Sequence, residues 1–195
     1  ILLTGFEPFG GSPVNPSEQV VKALAADPPA GIDLLTAILP VERAAGPQAL
    51  LDAVQASRPQ AVLCLGEASR RAVVSIERVA INLLDYRIPD NSGEQCVDQP
   101  IFADGPAACF VTLPVRAMLA AVLAAGIPAE LSLSAGAYLC NQVLYTLLHL
   151  RPAIPAGFIH LPALPRQAAA QGLAMPSMSL ESSAAAVRAA LQAIL

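Results

Sequence analysis

The chain has 195 residues, of which 55% are hydrophobic and 13% charged; that is ample apolar surface to offset the entropy lost on folding, and wholesale disorder is excluded. A net charge of −4 with Lys22 as the single lysine leaves no basic stripe to neutralise phosphates, so nucleic acid is not expected as a partner. The longest run free of polar or charged residues lies between Arg116 and Glu130 and contains Gly126 and Pro128, short of the roughly 18–20 residues a spanning helix needs, so no membrane partner is expected.

In chain order, Ile1 to Gly5 reads as a first aliphatic strand. A helix start follows, with Asn15 as N-cap, Pro16 at the first helical position and Glu18 at the third. A strand is predicted over Ile32 to Pro40, a helix over Arg43 to Ser57, and strands over Gln60 to Gly66 and Ala72 to Asn82. The segment Tyr86 to Asp104 is polar, turn-rich and longer than an ordinary connection, the profile of a functional loop. Beyond it come a helix over Pro114 to Ala125, a strand over Glu130 to Ala135, a helix over Leu139 to Leu150, a strand over Gly157 to Pro162, and a helix over Leu180 to Ile194 capped by Ser179. Most strands are nearly continuous apolar runs, as in strands covered on both faces. This alternation predicts an α/β fold: an open, twisted, mostly parallel sheet with helices on both faces, an α/β/α sandwich. No repeat or linker divides the chain, so a single domain over residues 1–195 is expected. No basic stretch leads into an apolar run at the start, and a cytoplasmic location is expected.

Four cysteines, Cys64, Cys96, Cys109 and Cys140, form no CxxC pair, so neither structural zinc nor a disulfide framework is expected. His149 lies nine residues beyond Cys140 on the same predicted helix; at about 100° and 1.5 Å per residue it falls on the opposite face, roughly 13 Å away. His160 lies twenty residues beyond Cys140. In a right-handed β-α-β crossover, the start of the helix and the end of the next strand meet at the carboxyl edge of the sheet, where such folds place their sites. A helix N-terminus and a nearby histidine are expected to lower the Cys140 thiol pKa. Glu77 interrupts an apolar strand, where an unpaired buried carboxylate is costly. Two readings are open for it: an acid that orients His160, or an ion pair with Arg78 or another arginine. The loop "TGFEPFGG" lacks the ending of a phosphate loop; Phe6 and Phe9 suit either a small apolar ring or core packing.

The segments "LLTGFEPFGG", "GEASRRAVVSIERVAIN", "RIPDN", "LSAGAYLCN" and "GFIHLPALPRQ", in that order, resemble the pyroglutamyl peptidase I family, also called pyrrolidone-carboxylate peptidases. The resemblance implies a cysteine exopeptidase that hydrolyses the amide bond after an N-terminal pyroglutamyl residue through a thioester. It implies Cys140 as nucleophile, His160 as general base and Glu77 as orienting acid. It further implies that Phe6 and Phe9 line the pyroglutamate pocket, that Arg87 lies at the site, and that the enzyme is a homotetramer using no metal or other cofactor. Glu67 stands where the family commonly has Gln, Ser69 and Arg70 replace a Gly pair, and Gln142 replaces a frequent His. Two rival readings are another small-amide cysteine hydrolase on this scaffold and a non-catalytic lactam-binding or assembly homologue.

Overall fold

The computed structural model describes residues 1–171 and 174–195. Its main sheet contains β1 (Leu2–Phe6), β2 (Leu35–Leu39), β3 (Val62–Glu67), β4 (Val74–Glu77), β7 (Ala129–Ser132) and β8 (Ala156–Leu161), in the order β2-β1-β3-β8-β4-β7. Strands β1, β2, β3 and β8 run parallel to one another, while β4 and β7 are parallel to each other and antiparallel to β8. The sheet is therefore mostly parallel. Strands β5 (Val79–Ile81) and β6 (Ala108–Phe110) form a separate antiparallel pair.

Helices α2 (Ala45–Ser57) and α4 (Leu139–Leu150) pack one face of the main sheet through Leu50, Val54, Val143 and Leu147. Helices α1 (Pro16–Ala26), α3 (Val115–Ala124) and α6 (Leu180–Gln192) cover the other through Val20, Leu24, Met118, Val122 and Val187. The two apolar layers account for the unbroken aliphatic runs of β1 and β3, in which every residue up to Gly66 is buried. Asn15 and Ser179 cap α1 and α6 as predicted, accepting from Ser17 N–H and Ser182 N–H.

Three expectations are corrected. The single strand read over Ala72 to Asn82 is two strands, because the chain leaves the main sheet at Arg78 to pair with β6. Strand β6, with three residues, and a short helix α5 (Pro165–Gln171) were not expected. The unit joining Cys140 to His160 is not a parallel crossover: β7 pairs with β4 at the sheet edge and runs opposite to β8. Residues 133–138 carry the chain from the end of β7 to the start of α4.

Chain order places β1 and β3 side by side, with α1 leaving to one face and α2 returning on the other. The crevice at this switch point, beyond the carboxyl ends of the strands, is where such sheets bind ligands. The loops there are tied by specific bonds. Ser17 Oγ accepts from Phe6 N–H at 2.9 Å and donates to Asn15 Oδ1 at 2.8 Å. Glu7 Oε1 accepts from Val41 N–H and from the Asn91 amide at 3.0 and 2.8 Å. Helix α1 comes so close to β1 that a Cβ on Gly5 would stand 2.7 Å from the Ser17 carbonyl oxygen. Since that neighbour is backbone, Gly5→Ala should cost about 1–3 kcal/mol through overpacking, seen as a lower urea midpoint at unchanged m-value.

Candidate active site

The acid of the site lies at the end of β4. Glu77 is fully buried, and its Oε1 accepts from two donors: His160 Nδ1 at 2.8 Å and Arg71 Nη1 at 2.6 Å. The β4–β8 register explains the first contact. Ser75 stands opposite His160, so Glu77, two residues further along the same face, is its diagonal neighbour. Glu77 thus meets both the imidazole and an arginine, the arginine being Arg71 rather than Arg78. Arg71 is itself anchored, its Nη2 donating to the Ser134 carbonyl at 2.8 Å. Burial acts to raise the Glu77 pKa, but the hydrogen bond and charge of His160 and the charge of Arg71 hold it below the ordinary carboxylate range. Stability contributed by this group is thus present above the usual carboxylate pKa and lost as pH falls through the lowered folded value.

An ionised carboxylate only accepts, so His160 donates through Nδ1–H and Nε2 is left to take or give a proton. His160 is almost completely buried against Phe158, ring centroids 4.8 Å apart. In the parallel register of β3 and β8, Gly66 is the partner of His160. A Cβ on Gly66 would stand 2.7 Å from Cys140 Sγ and 2.8 Å from the Phe158 ring, so the thiol rests over the strand position beside His160. Cys140 and His160 both line one cleft of about 450 Å³. Cys140 is the second residue of α4, where a backbone N–H lies outside the intrahelical ladder. Its neighbour Asn141 fixes the helix start, accepting from Ile81 N–H at 2.9 Å and donating to the Ile81 carbonyl at 2.8 Å.

The protonation of Cys140 departs from expectation. Burial pushes its thiol well above the ordinary value, and the charges of Glu77 and Glu67 push the same way, so the helix N-terminus does not prevail. Cys64, inside β3, is likewise raised to about 12 by burial. His149 lies apart from the site, stacked on Tyr145 with ring centroids 5.7 Å apart.

Phe6 and Phe9 bound a narrow cavity with Val41, Tyr138, Leu139 and Cys140. Phe6 is also a buried core residue, whereas Phe9 is partly exposed and faces the Tyr138 ring at 6.1 Å. Arg87 lines the larger cleft with Cys140 and His160. Glu67 lies in both cavities, its two oxygens accepting from Gln167 Nε2 at 3.1 and 3.2 Å; burial raises its pKa despite that bond. Gln142 accepts from the Tyr86 hydroxyl at 2.6 Å and donates to the Arg43 carbonyl, which makes it a strut under the long loop. Sequence reasoning did not assign Arg71, Gly66, Asn141 or Tyr138. Of these Arg71 left a signal, as a cation six positions from the buried acid. Among the described residues no group of three or more His, Cys, Asp or Glu could hold a metal ion.

A family model described as pyroglutamyl peptidase matches residues 1–195. The pyrrolidone-carboxylate peptidase of Vibrio vulnificus (strain CMCP6) is 50% identical over 184 residues, covering 93% of this chain and 85% of that relative. Among solved structures, pyroglutamyl peptidase I of Bacillus amyloliquefaciens superposes with a TM-score of 0.93 at 37% identity, covering 99% of this chain and 95% of that one. Pyrrolidone carboxyl peptidase of Thermus thermophilus gives 0.91 at 44% identity, over 100% and 99% of the two chains.

The raised thiol pKa has a direct readout. Alkylation of Cys140 by iodoacetamide, followed by mass spectrometry of its peptide, should still be accelerating at about pH 10.5, where a free thiol of pKa about 8.5 is almost wholly ionised and its rate has levelled off. A plateau already reached at pH 7 would show a resting thiolate.

Proposed function

Because the chain belongs to the pyroglutamyl peptidase family, we propose that it removes N-terminal pyroglutamate from peptides with Cys140 as nucleophile, His160 as general base and acid, and Glu77 as the orienting acid. The observation that carries this reading is the bond of His160 Nδ1 to Glu77 Oε1 beside a thiol in the same cleft. His160 Nε2 takes the Cys140 proton as Sγ attacks the carbonyl carbon of the pyroglutamyl residue. The developing oxyanion meets the Cys140 backbone N–H at the start of α4. Collapse breaks the carbon–nitrogen bond, and the departing amine receives the proton held on His160. A water that gives its proton to Nε2 then attacks the thioester, and the thiol leaves re-protonated with free pyroglutamate released.

Phe6 and Phe9 serve as walls for the lactam. The cavity they bound is narrow, and Phe9 stands beside Gly10 and Gly11, both at positive φ. Pyroglutamate has no charged amine, which suits an apolar pocket with few polar atoms.

The substrate class and the reaction type are tested together with pyroglutamyl, prolyl, alanyl and glutaminyl reporter amides in the presence of reductant and chelator. Rapid cleavage is expected for the pyroglutamyl amide alone, since the others carry a charged amine that this pocket cannot solvate. Chelator should have no effect, as the thiol–imidazole chemistry needs no metal. Cys140→Ser should lower kcat by about a thousandfold or more, and Phe9→Ala should act mainly on KM. Equal cleavage of prolyl and pyroglutamyl amides would favour a general cysteine amidase.

A cytoplasmic homotetramer is the assembly we propose on the resemblance. Sedimentation equilibrium should give four times 20.1 kDa, and a monomer at micromolar concentration would refute it.

A further inference from the structure

The direction in which a peptide crosses Cys140 follows from what each adjoining cavity contains. The narrow one, bounded by Phe6, Phe9 and Leu139, reaches Cys140 without His160. The larger cleft holds both Cys140 and His160, with Arg70, Arg71 and Arg87 in its wall. Since His160 must hand its proton to the leaving nitrogen, the amine departs into the larger cleft. The lactam then occupies the narrow cavity, and every residue after the scissile bond runs past the arginines. That cleft shares Phe9, Glu67, Arg70, Arg87 and Ile88 with a neighbouring cavity of about 490 Å³, so the path continues for more than one residue.

The three arginines differ in their commitments. Arg71 is spent on Glu77 and the Ser134 carbonyl. Arg70 and Arg87 are exposed, and among the described residues neither joins an ion pair. The nearby carboxylate, Glu67, is turned to Gln167 instead. Arg70 and Arg87 line the cleft without an acid partner, and a guanidinium is a planar fork that matches a carboxylate, which makes this wall an anion acceptor. A pyroglutamyl peptide has lost its amino-terminal charge by cyclisation. The carboxylates it can offer beyond the scissile bond are its C-terminus and any acidic side chain.

Resting on the peptidase reading above, we propose that Arg70, together with Arg87, receives a carboxylate of the leaving peptide. The enzyme thereby favours short pyroglutamyl peptides whose C-terminal carboxylate, or an acidic side chain next to the scissile bond, falls in this cleft.

The test measures kcat/KM on matched pairs. Pyroglutamyl-alanine against its C-terminal amide reads the C-terminus as source; pyroglutamyl-glutamate amide against pyroglutamyl-glutamine amide reads the side chain. At low salt at least one anionic member should be preferred by about threefold to tenfold, and the ratio should shrink at ionic strengths where exposed charges are screened. Arg70→Gln should bring the ratio below about twofold while Arg70→Lys keeps part of it, because a point charge replaces the fork. Equal kcat/KM for both members of both pairs in the wild type would overturn the proposal, as would a preference left unchanged in Arg70→Gln. If the folded wild type cleaves none of the four compounds, the peptidase assignment itself fails and this site falls with it.

Discussion

One carboxylate oxygen governs the centre of this molecule: Oε1 of Glu77, which accepts from both His160 and Arg71. A buried carboxylate that met the imidazole alone would carry an uncompensated charge into the core. Arg71, 27% exposed in its side chain, supplies the balancing charge from the rim while its second nitrogen holds the Ser134 carbonyl. The arrangement also constrains the sheet. Glu77 reaches His160 because β4 is antiparallel to β8 and in the register that sets Ser75 opposite His160. A shift of one residue would turn Glu77 to the other face.

The same acid that accepts from the imidazole works against ionisation of the thiol. Burial, Glu77 and Glu67 all favour the protonated form of Cys140, against a stored thiolate there. In the mechanism proposed above, its proton moves to His160 as the bond to substrate carbon forms, and the imidazolium so created lies against the Glu77 carboxylate. On that mechanism the charge separation that burial penalises at rest is compensated during attack, and the His160–Glu77 contact favours the transition state over the resting state.

Much of this was legible in the sequence, and the failures share a cause. The Asn15 cap, the apolar strands and the placement of Cys140 at a helix start are local, written in a few adjacent residues. Strand direction is not. Nothing in the pattern of Glu130 to Ala135 distinguishes a strand that continues a parallel crossover from one that pairs with β4 at the edge, so the predicted crossover was incorrect even though Cys140 and His160 do share a cleft. The break at Arg78 depends on β6, whose three residues carry no periodicity of their own. The direction of the Cys140 shift was misjudged because a helix N-terminus is visible in sequence, whereas burial and the approach of Glu67 and Glu77 are tertiary.

Two missing side chains complete the geometry. At the switch point the helix bearing Cys140 and the helix following β1 both bring their first turns down onto strand backbone, and each arrives over a glycine. A Cβ on Gly5 would meet the Ser17 carbonyl and one on Gly66 would meet Cys140 Sγ, both at 2.7 Å. At Gly66, the strand residue paired with His160, the space left open is the space the sulfur occupies. Any side chain there would have to displace the thiol or the Phe158 ring that packs the imidazole, because close-packed interiors leave little room for either to move. The position of the Cys140 thiol is therefore set by the helix start that carries it and by the absence of an atom beneath it, while the His160 imidazole is set by the sheet; their meeting follows from the packing of α4 on β3 and β8.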